Sequence, residues 1–110
     1  MTLKQVAQMV RSIGVPFSYY QFNEDTAVAP PFICFYYPED FDLYADGENF
    51  QHIKSLIIEL YTDNKDFRLE ANVETALRSN GITWTRLESY IESEKLFMVT
   101  YQTSILIEEE

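Results

Sequence analysis

Few side chains in this sequence are equipped for chemistry, and their spacing decides what they could do. His52 and Cys34 are the sole residues of their kinds. A Ser or Cys nucleophile needs a base within hydrogen-bond reach, so a thiol–imidazole pair would form only if the strands carrying Cys34 and His52 met in the right register. Otherwise Cys34 is a small buried thiol and His52 a rim residue. Asp42, Asp46 and Gly47 fit the first, fifth and sixth positions of a calcium-binding loop. Tyr44 and Ile53 then occupy the third and twelfth, where a polar ligand and a bidentate Glu are required, which argues against calcium. The three glycines, Gly14, Gly47 and Gly81, are isolated, so no glycine-rich phosphate cradle is present. Eighteen Asp and Glu offer many carboxylate pairs, but acid–base work needs a buried or coupled pair, and the default is a solvated face. No catalytic, cofactor-binding or metal-ligating residue is assigned, and the chain is expected not to be an enzyme.

The elements that would position these residues follow from periodicity and punctuation. Thr2 and Gln5 form a capping-box pattern, and Leu3, Val6, Val10 and Ile13 share one helix face before Gly14 and Pro16 stop it. This predicts a helix over 3–13. The aromatic run 17–22 predicts a strand, 23–31 a loop closed by Pro30 and Pro31, and 32–37 a second strand, with the two strands paired antiparallel. Residues 39–50 read as a loop and 51–62 as a long strand with strong β preference. Asp63 or Asp66 caps a helix over 65–79, whose face of Leu69, Val73, Ala76 and Leu77 ends at Asn80 and Gly81. Strands over 82–91 and 96–107 flank a turn at 92–95. The order α-β-β-β-α-β-β lacks repeated β-α-β units. It predicts an α+β domain over 1–110: a mostly antiparallel sheet of about five strands with two helices on one face. Two 12-residue strands would each run about 40 Å, longer than the roughly 34 Å width of a compact sphere of this size. Some strand length should overhang and offer backbone groups for subunits to join.

At 46% hydrophobic and 15% aromatic residues the 110-residue chain is apolar enough to fold around one core. A lone cysteine fits a reducing compartment such as a cytoplasm, and no stretch is apolar enough to span a bilayer. The net charge is −10, and Lys4, Arg11, Lys54, Lys65, Arg68, Arg78, Arg86 and Lys95 are dispersed. That excludes the basic patch of a DNA clamp. It also argues against Tyr19, Tyr20, Tyr36 and Tyr37 as a base-stacking platform. The candidate protein contacts are the acid–aromatic loop, with Phe41, Asp42, Leu43, Tyr44, Asp46 and Glu48, and the turn carrying Glu92, Glu94 and Lys95.

In overall layout, and in the phrases Ser12-Ile13-Gly14-Val15-Pro16-Phe17-Ser18-Tyr19-Tyr20, Glu59-Leu60-Tyr61-Thr62-Asp63 and Tyr90-Ile91-Glu92-Ser93-Glu94, the chain resembles a family. It is that of the tail-terminator and head-tail joining (tail completion, minor capsid) proteins of long-tailed phages and prophages of Gram-positive bacteria. The resemblance implies a virion-assembly protein that forms a homo-oligomeric ring, commonly a hexamer. Such a ring caps the tail tube and docks to neck and connector proteins, with no cofactor and no membrane. It implies assembly in the host cytoplasm and a place at the head-tail junction. An acidic lumen would then let DNA pass without specific binding. The alternative from a different class is an acidic inhibitor or adaptor, a DNA mimic bound to a basic host protein.

Overall fold

The computed structural model describes residues 1–23, 27–45 and 48–108, with backbone alone for 43–45 and 48–51. Helix α1 spans Leu3–Ser12 and begins as its sequence dictates. The Thr2 hydroxyl accepts from the Gln5 N–H, and the Gln5 side chain accepts from the Thr2 N–H. Helix α2 spans Phe67–Ser79, and of the two candidate caps it is Asp66 that accepts from the Leu69 N–H, at 2.9 Å. Its end is closed at Gly81, whose φ of 71° places it in the left-handed region, while the Ile82 N–H reaches back to the Leu77 carbonyl.

The strands are β1 (Phe17–Tyr19), β2 (Phe32–Tyr36), β3 (Leu43–Ala45), β4 (Glu48–Thr62), β5 (Thr85–Ile91) and β6 (Leu96–Ile107). Five lie side by side in the order β1-β2-β4-β6-β5, and the short β3 pairs with β4 alone. The α+β class and the mostly antiparallel sheet agree with the expectation. One pairing does not: β1 runs parallel to β2, Phe17 opposite Ile33 and Tyr19 opposite Phe35. The physical reason is the connection. β1 ends at Tyr19 because Tyr20 turns into the left-handed region (φ 71°), and the chain then returns to start β2 beside the start of β1 instead of folding back as a hairpin.

Alternation across the central strands sets the core. Ile33 and Phe35 of β2, Leu56, Ile58 and Leu60 of β4, and Val99, Tyr101 and Ile105 of β6 point to one face. There they meet Val6, Met9 and Val10 of α1 and Leu69, Val73 and Leu77 of α2. Both helices therefore cover the same side of the sheet, and among the described residues no helix lies on the other side. The strands overhang as their lengths require: the molecule measures 51 × 29 × 23 Å.

Candidate functional site

The two groups of candidate contact residues lie at opposite ends of the sheet. Strand β4 pairs with β6 from His52–Ile107 to Thr62–Phe97, a run of about 34 Å at 3.4 Å per residue. Beyond His52, β4 loses β6 and pairs only with β3, through Leu43–Gln51, Tyr44–Asn49 and Ala45–Glu48. The segment expected to be a loop is thus partly an arm: the four residues 48–51 carry the strand about 14 Å past the last β6 rung. Leu43, Tyr44 and Glu48 lie on its backbone, and Asp46 falls outside the described residues. At the arm's base, residues 39–41 run along β4. The Phe41 N–H donates to the Ile53 carbonyl, the Ser55 N–H donates to the Glu39 carbonyl, and the Lys54 ammonium meets Asp40 at 2.8 Å. Phe41 keeps 49% of its surface exposed, and Asp42 faces His52 Nδ1 at 3.3 Å.

His52 and Cys34 do not meet. Cys34 stands opposite Glu59, seven residues up β4 from His52, about 24 Å away along the strand. Its thiol is buried, and burial, reinforced by Glu59, pushes its pKa up. No cluster of potential metal ligands occurs among the described residues. No helix there is long and apolar enough to cross a membrane.

At the far end, Glu92, Glu94 and Lys95 form the turn between β5 and β6, closed by Glu94 N–H to Ile91 and Lys95 N–H to Glu92 carbonyl bonds. Lys95 takes the positive φ of 55° that this tight turn demands. Glu94 also borders a feature that pattern reading missed, a pocket of about 460 Å³ on the uncovered sheet face. Its floor is Cys34 and Glu59, and its walls include Phe32 and Tyr36 of β2, Tyr61 of β4 and the turn residue Tyr20. The Tyr36 and Tyr61 hydroxyls donate to the two oxygens of the Glu59 carboxylate at 3.2 and 3.0 Å. Burial first, and the Glu59 charge second, push both phenols above their ordinary pKa, so they remain neutral donors. Two stacked aromatic pairs flank the carboxylate: Tyr20 on Tyr36 at 4.8 Å and Phe32 on Tyr61 at 4.9 Å. Holding a tyrosine in the left-handed region costs about 1–2 kcal/mol, and here that geometry sets Tyr20 over Tyr36. The signal in the sequence was the alternation Phe32, Cys34, Tyr36 against Glu59, Tyr61. It becomes a site only once the register opposes Cys34 to Glu59.

A second polar cluster joins the helix layer to the sheet edge. Glu70 of α2, its carboxylate only 6% exposed, accepts from Lys65 at 2.5 Å and from Arg86 of β5, and Glu88 of β5 meets the same two cations. Tyr101, fully buried, donates to Glu74 at 3.0 Å beside it. This network is a structural clamp, because each of its charges faces another charge of the network. No protein-family model matches the chain, and a search of the curated proteins finds no match to it.

Proposed function

We propose that this chain is a structural assembly protein of the phage tail-terminator and head-tail joining kind, working as a homo-oligomeric ring that caps a tail tube. The observation that carries the reading is the β3–β4 arm, which leaves the body of the sheet and bears the acid–aromatic segment, so that it can reach a neighbouring subunit or the tube. Two further features support it. Strand β5 pairs only with β6, and its residues Thr85 to Tyr90 are all exposed, leaving a free edge of the kind that subunits join. The net charge of −10 suits a ring whose opening must not hold DNA.

The test is native mass spectrometry and negative-stain microscopy of the chain at high concentration, alone and with its cognate tube protein. The expected result is a ring, formed alone or at the tube end. A monomer that fails to bind the tube under both conditions refutes the proposal. Removing the arm, residues 42–51, should abolish ring or tube binding while leaving the circular dichroism of the body intact.

A further inference from the structure

The uncovered sheet face carries a carboxylate in a setting that needs explaining. Glu59 sits three residues from the C-terminal end of β4, a central strand, and is itself half-buried, flanked by the buried Cys34 on one side and the buried Thr100 on the other. A half-buried carboxylate between two buried neighbours keeps some solvent on one side and has room there for a cationic partner. The ion pairs formed among the described residues use Asp40, Asp42, Glu70, Glu88 and Glu108, and none involves Glu59. Its partners are two neutral phenols, which occupy one acceptor position on each oxygen. An ionised carboxylate has about four such positions, so two remain for a further donor. The walls are largely aromatic, no Lys or Arg among the described residues lines the pocket, and Glu94 at its rim adds a second negative charge.

We propose that this pocket receives the guanidinium of an arginine side chain presented by a protein partner. A planar cation with paired N–H donors matches both halves of the site: it can bridge the free positions on Glu59 and lie against the faces of the tyrosines. The left-handed turn at Tyr20 supports this independently of the charge. Backbone of that kind persists where the surrounding structure holds it, and what it builds here is one wall of the pocket. A volume of about 460 Å³ leaves room for an inserted side chain. The inference does not depend on the partner being part of a phage tail.

The experiment is a heteronuclear NMR titration of the whole chain with Nα-acetyl-arginine amide, and in parallel with the lysine and citrulline analogues. Citrulline has nearly the same shape as arginine and no charge. The expected result is millimolar binding of the arginine probe, with the largest shifts at the amides of Cys34, Tyr36, Glu59 and Tyr61, weaker binding of lysine and none of citrulline. Glu59→Gln should weaken arginine binding at least about tenfold, as loss of a charge-assisted bond does. Tyr20→Asn removes one ring but suits the same left-handed backbone, and should weaken binding about threefold. Thermal unfolding of both variants confirms that the fold is kept. The proposal is overturned by the absence of shifts at these amides, by equal binding of citrulline or lysine, or by a folded Glu59→Gln chain that binds as the parent does.

Discussion

Replacing Arg86 by Met tests the clamp between α2 and the sheet edge. Met keeps the length of the side chain and its apolar stem but removes the guanidinium, which donates to Glu70 and, at 3.0 Å, to Glu88. Stripping every partner from a buried carboxylate costs about 3–5 kcal/mol. Two facts bring the figure down. Lys65 stays within 2.5 Å of Glu70, and the Arg86 side chain is 34% exposed, so part of its contribution is screened by water. What is lost is close to one hydrogen bond between charged groups, about 2 kcal/mol. A domain of this size has a total stability of about 5–15 kcal/mol, so the change should be plain in urea denaturation followed by the fluorescence of Trp84. The midpoint should fall with an unchanged slope. Glu70→Leu combined with Arg86→Met should recover a large part of the loss, because the buried charge leaves with its partner. An Arg86→Met midpoint within experimental error of the parent, or strictly additive single effects, would refute the clamp.

Four further outcomes follow from the same structure. Hydrogen bonding from Lys65, with support from Arg86, holds the Glu88 carboxylate below its usual pKa. Its contribution is present above the unfolded carboxylate value of about 4.3 and is lost as pH falls through the lower folded value. Unfolding midpoints measured across that range should drop less steeply for Glu88→Gln than for the parent, and parallel curves would contradict the assignment. Leu56→Ala empties a fully buried core position opposite Thr103 of β6 and should cost about 3–4 kcal/mol in the same urea assay. Thr2→Ala removes half of a reciprocal cap and should cost about 1 kcal/mol, read as a lowered melting temperature. Gly81→Ala meets no atom within 4 Å, so any loss, expected at about 1 kcal/mol, comes from the positive φ alone.

Local signals were legible wherever one residue type forces one geometry. The Thr2–Gln5 box, the Asp66 cap and the Asn80–Gly81 stop set helix ends to within about two residues, because each satisfies backbone groups that a helix end leaves open. The strands were legible as β-rich runs, but their partners were not. Phe17–Tyr19 and Phe32–Tyr36 look alike whether they pair parallel or antiparallel, and the deciding event is a left-handed turn at Tyr20, a residue type that rarely makes one. The acid–aromatic segment read as a loop because acidic residues and a glycine interrupt it, yet β3 and the first residues of β4 pair there through backbone bonds. The pocket at Glu59 was hidden for another reason. Its lining comes from 20–22, 27–28, 32–36, 59–61 and 94, and only the fold brings these onto one face.

The union of β4 and β6 also decides how the molecule bears load. Eleven consecutive residues of each strand oppose one another, from His52–Ile107 to Thr62–Phe97. A tension applied along the strand axis, between the arm at one end and the β5–β6 turn at the other, loads these rungs together in shear. They cannot open one after another as a zipper would. The strand direction is therefore the one in which this pairing resists most, and a force applied at the arm reaches the far turn through the β4–β6 rungs, while the helices lie outside that path.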